Sequence, residues 1–181
     1  MVLHAAHALS AIRMAFGLYF VVSALRKTTT GWLTSGEPMA SFVTRNLEGS
    51  AAGYRGFLEA SVLPNADRFA QLIVLGEWVA GVSLLCGLLT RLGALSGMWL
   101  VLNFMLTKGL PNGEGSQDRL FFASCAVFAL SAAGLVWGLD GILRPVLSAN
   151  PVTRWLAGIP ALPTPLPTPQ QIPPAERRRA A

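Results

Sequence analysis

The sequence predicts an all-α membrane protein, a polytopic four-helix bundle with short amphipathic helices in its first loop. Apolar residues make up 52% of the 181 residues and charged residues only 13%, against about 25% charged residues in soluble domains. Four apolar segments have about the length that crosses a bilayer. We expect one transmembrane domain over 1–158, with spans at 8–25, 69–89, 92–107 and 120–139.

The first span and the loop that follows it have distinct patterns. Arg26 and Lys27 close the span, and such side chains can extend to the lipid headgroups. In the polar section 28–67, apolar residues recur at helical spacing twice, after Pro38 and from Tyr54. Two short amphipathic helices at the mouth of the bundle explain this spacing. An irregular loop with scattered apolar residues is the alternative interpretation.

The remaining spans follow from their connections. Thr90 and Arg91 are the whole predicted connection between the second and third spans, so these two helices should lie antiparallel side by side. A loop rich in glycine and charge, 108–119, precedes the fourth span. Proline dominates 159–181, and we expect this tail to be disordered because it cannot build a core.

Four spans place both termini on one side of the cell membrane. The short connection at Arg91 and the arginines 177–179 lie on that side, so the positive-inside rule favours the cytoplasm for both termini. Arg45, Arg55 and Arg68 in the first loop favour the opposite orientation. The net charge of +5 forms no basic face for nucleic acid, and the lipid bilayer is the predicted partner.

Glu77 is the single acid inside an apolar span, within the stretch LIVLGEWVAGVSLLCGLLTR at 72–91. An ionisable residue in the membrane is costly and is a functional candidate by default. If Ala8 and Leu89 mark the cytoplasmic ends of their spans, Glu77 lies about 18 Å from that face. It is therefore the predicted catalytic residue.

Helical rise predicts which polar groups share the depth of this acid. Tyr19 and Asn103 lie at roughly 16–17 Å, so either of them is an expected donor to Glu77. Arg13, at about 7–8 Å, and Lys27, near 28 Å, are not expected as its direct partners. The layer has two interpretations, hydrogen bonds that only hold helices together or a small polar pocket in which a quinone docks.

Four segments, in order along the chain, resemble the DoxX/DoxD family of small membrane proteins. They are IRMAFGLYFVVSALRK, GWLTSGEP, LGEWVAGVSLLCGLLTRLGALSG and GLVWGLDGIL, and they run from about Arg13 to Arg144. The GWLTSG stretch resembles the DoxD branch, the small subunit of a thiosulfate:quinone oxidoreductase. The resemblance implies a four-helix membrane bundle associated with electron transfer to quinone.

The resemblance also implies a function and a set of site residues. The expected function is an integral membrane subunit of a quinone-linked oxidoreductase, assisted by a second subunit. A non-catalytic anchor that recruits a soluble redox partner is the alternative, and the oligomeric state is left open. Polar positions that match the family pattern are Arg13, Lys27, Glu77, Arg91 and Asp140.

Beyond Glu77, five residues are predicted to bind the ligand: Tyr19, Asn103, Arg13, Lys27 and Arg91. The sequence has no CxxC, P-loop, HExxH or GxGxxG motif, and no pair of histidines inside the spans to hold haem. We therefore expect a diffusible quinone as the redox ligand, and neither a metal nor haem. A transporter is less favoured, because the sequence shows no internal repeat.

Overall fold

The computed structural model describes residues 5–109 and 115–160. All regular secondary structure in these ranges is helical, without a strand, which confirms the predicted class. The helices are α1 (Ala5–Thr29), α2 (Glu37–Asn46), α3 (Tyr54–Phe57), α4 (Ala66–Cys86), α5 (Thr90–Lys108), α6 (Gly115–Leu130), α7 (Leu139–Ile142), α8 (Arg144–Leu147) and α9 (Pro151–Leu156). The four long helices, α1, α4, α5 and α6, form the bundle.

Glycines hold α1 and α4 close together. A Cβ atom added at Gly17 would lie 2.3 Å from the backbone nitrogen of Leu85, and one added at Gly81 would lie 2.7 Å from that of Val21. No side chain fits at such distances, so the two backbones touch where small residues occur on both helices. These contacts fix the antiparallel register of α1 against α4.

Aromatic side chains pack α6 against α1. The ring centroids of Phe16 and Phe121 are 4.7 Å apart, those of Tyr19 and Phe121 are 4.5 Å apart, and those of Phe16 and Phe128 are 5.7 Å apart. These separations are typical of favourable tilted or edge-to-face packing. The four long helices thus surround one apolar core.

The first loop contains the predicted short helices. Helix α2 buries Met39 and Val43, which pack with Leu58, Val62 and Ala70 in a second apolar cluster. Helix α3 continues through a π-helical turn, Leu58–Val62, and a 3₁₀ turn, Leu63–Asn65, into α4. The prediction of amphipathic helices over the bundle is confirmed, although the second of them is an extension of α4.

The connection between the second and third spans differs from the prediction. Helix α4 ends at Cys86, and Gly87 follows with a φ of 64°, the left-handed conformation in which many helices end. Leu89 also has a positive φ, 49°. The turn is therefore formed by 87–89, and the predicted connection residues, Thr90 and Arg91, already belong to α5.

The fourth helix is shorter than the predicted span 120–139. Helix α6 ends at Leu130, and the chain then makes a 3₁₀ turn, Ala133–Leu135, before α7. Trp137 has a positive φ of 49°, which no helix accommodates. Residues 131–138 do not continue α6, because Asp140 is fully buried against the turn between α4 and α5. The predicted tail lies outside the described residues from 161 onward.

Two helical stretches, Ala5–Thr29 and Tyr54–Cys86, are long and apolar enough to cross a membrane. The outer faces of the bundle carry large apolar side chains. Examples that are at least half exposed are Ile12, Leu18, Val22, Leu72, Leu75 and Trp99. Without a lipid environment such surfaces would promote aggregation, so the fold is that of a helical membrane protein.

Candidate functional site

Glu77 belongs to α4, its carboxylate faces α1, and only 3% of the residue is exposed. Its Oε1 accepts hydrogen bonds from Lys27 Nζ, in a partly buried ion pair, and from Ser23 Oγ at 3.0 Å. Lys27 Nζ also donates to Ser23 Oγ at 3.2 Å. The other carboxylate oxygen, Oε2, is buried and has no hydrogen-bond partner in the part of the chain that the structure describes.

The expectation that Lys27 would not pair with the acid is wrong, and the reason is helix register. The predicted depths set Ala8 opposite Leu89. The contact of Gly17 with Leu85 displaces α1 by about five residues relative to that register, roughly 7–8 Å at the helical rise. In addition, side chains tilt toward the N-terminus of their own helix. In an antiparallel pair this tilt directs Lys27 and the acid toward each other.

This ion pair lines a cavity of about 220 Å³, called here the Lys27–Glu77 cavity. Aromatic rings from several elements form its walls, among them Tyr19, Trp32 and Phe104. The ammonium of Lys27 lies 5.3 Å from the centroid of the Trp32 ring and 5.4 Å from that of Phe104, within the range of cation–π attraction. Apolar cavities of about 150 Å³ hold benzene in other proteins, so this one can admit a substituted six-membered ring.

A second ion pair lies at the same cavity. Lys108, at the end of α5, donates to Asp118 Oδ2 of α6 at 2.8 Å. Both residues line the cavity. The cavity is thus apolar and aromatic on its walls, with two carboxylates and two ammonium groups at defined points. It can hold a flat ring and fix the ring substituents by hydrogen bonds.

The two donors predicted for Glu77 have other partners. Tyr19 lines the cavity, but its hydroxyl accepts from Gln117 Nε2 at 3.5 Å. Asn103 accepts from the hydroxyl of Tyr54 at 2.5 Å. The amide of Asn103 also donates to the carbonyl oxygen of Trp99 at 2.6 Å. The predicted bonds from Tyr19 and Asn103 to Glu77 are therefore wrong.

Asn103 and Tyr54 line a different cavity, of about 260 Å³, between α4, α5 and the first loop. Its walls are mainly apolar, and Phe42 and Phe104 belong to both cavities. The rings of these two residues pack edge to face at 5.8 Å. The sequence could not reveal the partner of Asn103, because Tyr54 comes from the extension of α4, which the sequence predicts as a separate short helix in the first loop.

Arg13 lies at the other end of the bundle, fully buried. Its guanidinium donates to the carbonyl oxygens of Leu84 and Trp137, the latter at 3.0 Å. It also interacts electrostatically with Asp140. Arg13 thus joins α1, the end of α4 and the segment after α6, and the structure does not bring it to the Lys27–Glu77 cavity.

Asp140 binds the first turn of α5. Its carboxylate accepts from the backbone N–H of Leu89 at 2.7 Å, from that of Thr90 at 3.0 Å and from the Thr90 hydroxyl at 2.7 Å. In addition, its own N–H donates to the carbonyl of Gly87 at 2.7 Å. A helix begins with unpaired N–H groups and a partial positive charge. This carboxylate accepts hydrogen bonds from two of those N–H groups, and its negative charge offsets the partial positive charge.

Arg91 is also remote from the cavity. It donates to the carbonyl oxygen of Trp155 at 3.2 Å and lies 5.7 Å from the centroid of that ring, so it holds α9 against α5. Of the predicted site residues, the structure brings Tyr19, Lys27 and Glu77 together. It adds Ser23, which sequence reasoning missed although Ser23 and Lys27 are four residues apart and share a helix face.

Comparison with known proteins finds a family match over the part of the chain that contains the ion pair of this cavity. No solved structure matches the chain. The sequence model of the DoxX family matches residues 8–108, a range that includes Ser23, Lys27 and Glu77. This range exceeds half of the 181 residues, and the chain therefore belongs to the DoxX family.

Proposed function

We propose that the chain is the integral membrane subunit of a quinone-linked oxidoreductase, and that the quinone ring occupies the Lys27–Glu77 cavity. The observation that carries this proposal is an ion pair between the buried carboxylate of Glu77 and the partly buried ammonium of Lys27, which lines an aromatic cavity of an apolar bundle. Ligand sites of this kind combine apolar walls with a few placed polar groups. Trp32 and Phe104 supply flat walls, and Lys27 supplies a donor for a ring oxygen.

Conversion of a quinone to its hydroquinone consumes two electrons and two protons. In the chain itself, Glu77 is placed to exchange a proton with a ring oxygen, while Lys27 and Ser23 hold the carboxylate in position. General acid–base catalysis requires such a group within hydrogen-bond distance of the reacting atom. The electrons come from a second subunit, and the GWLTSG stretch, by its resemblance to the DoxD branch, favours thiosulfate or another reduced sulfur compound as their source.

The same proposal includes the topology. Four membrane passages with both termini in the cytoplasm place the Asp140 end of the bundle on the cytoplasmic side. The Lys27–Glu77 cavity then lies toward the opposite side, where the first loop covers the bundle. A reduced sulfur compound outside the cytoplasm would reach a partner subunit on that side.

Purification from native membranes, with copurifying chains retained, provides the test. Glu77→Gln keeps the shape of the side chain but cannot exchange a proton, so we expect the rate of quinone reduction to fall by about 100-fold or more. The matched control is Glu59→Gln. Glu59 lies in the helical extension that leads into α4, and it is exposed and paired with Arg55. This control should retain the wild-type rate.

Thermal unfolding in detergent is measured on both variants, so that lost activity can be separated from lost structure. A Glu77→Gln protein that folds and reduces quinone at the wild-type rate would refute a catalytic role for this acid. If a soluble redox protein still copurified, the chain would instead be a non-catalytic membrane anchor.

A further inference from the structure

The two oxygens of Glu77 have unequal surroundings. Oε1 accepts from Lys27 and Ser23, whereas Oε2 is buried and has no partner among the described residues. Buried carboxylate oxygens in native proteins nearly always accept a hydrogen bond, because an unmet one costs free energy. Glu77 lines the Lys27–Glu77 cavity, and the last torsion of a glutamate side chain is soft. A small rotation of the carboxylate would therefore present Oε2 to a ligand in that cavity, which can supply the missing donor.

The ammonium of Lys27 supplies the complementary group. An ammonium has three N–H groups, and two of them are directed to Glu77 Oε1 and Ser23 Oγ. One N–H remains for a ligand atom that accepts. The site therefore offers a ligand one donor, Lys27 Nζ, and one acceptor, Glu77 Oε2. The ligand group that both accepts and donates is a hydroxyl.

We infer that the cavity binds the hydroquinone form of the ring in preference to the quinone form. This inference rests on the proposed function, since it assumes a quinone-type ring in the cavity. A hydroquinone hydroxyl accepts from Lys27 and donates to Oε2 of Glu77. A quinone carbonyl only accepts, so it leaves Oε2 buried without a donor.

The preference has a consequence for electron transfer. A site that binds the reduced form more tightly raises the midpoint potential of the bound couple. For a two-electron couple, a tenfold preference corresponds to about 30 mV. Electrons delivered by a partner subunit would then reach the bound ring more readily than they would reach the same ring in free solution.

Replacing Glu77 by glutamine should reverse the preference. Lys27 and Ser23 both donate to Oε1, so the oxygen of the new amide must take that position. Its NH₂ group then replaces Oε2, and an acceptor becomes a donor. In the variant, the amide NH₂ can donate to a quinone carbonyl. It cannot accept from a hydroquinone hydroxyl, whose hydrogen would face the hydrogens of the amide.

Equilibrium binding to the purified full chain in detergent, measured by calorimetry without oxygen, tests this directly. Tetramethyl-1,4-benzoquinone and its hydroquinone are the probes, because their fully substituted ring resists addition of thiols such as the exposed Cys86. We expect the wild type to bind the hydroquinone at least about tenfold more tightly, Glu77→Gln to bind the quinone more tightly, and Glu59→Gln to behave as wild type.

Equal affinities in the wild type, or a preference for the quinone, would overturn the inference while leaving a quinone site in place. Failure of both probes to bind would overturn the inference and the proposed function together. The wild-type comparison does not depend on any variant.

Discussion

Replacing Asp140 by alanine should destabilise the bundle more than any surface change, although this residue is far from the candidate site. Asp140 is fully buried. It receives three hydrogen bonds at the start of α5, from two backbone N–H groups and one hydroxyl. Alanine would leave these donors buried without an acceptor, because Thr90 is only 1% exposed.

The magnitude follows from the number and kind of bonds lost. Hydrogen bonds to a charged group contribute about 1.5–3 kcal/mol each, and removal of one partner of a buried charge network costs about 3–5 kcal/mol. We expect the free energy of unfolding to fall by about 3–5 kcal/mol. Since each kcal/mol lowers the melting temperature of a domain of this size by about 2–4 °C, Asp140→Ala should melt at least about 6 °C lower.

Unfolding of the purified protein in detergent, followed by circular dichroism, measures this change. Asp140→Asn keeps one acceptor oxygen and should lose only about 1–2 kcal/mol. Glu59→Ala removes an exposed ion pair worth about 0.2–1 kcal/mol. If Asp140→Ala were as stable as Glu59→Ala, the carboxylate would not be holding the first turn of α5 and the reasoning would fail.

Four further changes test other parts of the fold. Gly81→Ala places a methyl group 2.7 Å from the backbone of α1 and should lower stability by at least about 1–3 kcal/mol. Gly56→Ala, with open space around it, should instead stabilise by about 0.5–1 kcal/mol, and melting curves compare the two. Tyr54→Phe removes the donor to Asn103 and should cost about 0.5–1.5 kcal/mol in the same assay. A chain ending at Pro160 should reach the membrane in wild-type amounts, as judged by fractionation, because 161–181 are predicted to contribute no core.

Sequence patterns were sufficient to identify the four long helices of the bundle, because the length of an apolar segment and the spacing of its residues are local properties. The composition predicted the class, and the spacing after Pro38 predicted α2. The end of α6 was not predictable in this way. Residues 131–139 are apolar enough to continue the helix, and the chain instead turns at Leu130 where tertiary contacts, from Arg13 to the Trp137 carbonyl and from Asp140 to α5, hold the segment.

The candidate site was predicted in part for the same reason. Glu77 is conspicuous as an acid in an apolar span, whereas its partners depend on how two helices are shifted along each other. A shift of a few residues exchanges Tyr19 for Ser23 and Lys27 at the carboxylate. The Gly17 contact that sets this shift involves backbone atoms of α4, and neither hydropathy nor helical spacing identifies which backbone atoms a glycine will meet.

Cysteine cross-linking can test this register directly. In the structure Ser23 Oγ lies 3.0 Å from Glu77 Oε1, whereas the depths predicted from sequence place Tyr19 beside the acid. In a Cys86→Ser background, Ser23→Cys combined with Glu77→Cys should form a disulfide under mild oxidation more readily than Tyr19→Cys combined with Glu77→Cys, since a disulfide requires Cα atoms within about 7 Å. Gel mobility after protease cleavage in the first loop measures both yields. The opposite order would show that α1 has the other register. In that case Lys27 would lie roughly 7–8 Å farther from the acid along the helix axis. The ion pair could not form, and the preference for a hydroquinone would have no structural basis.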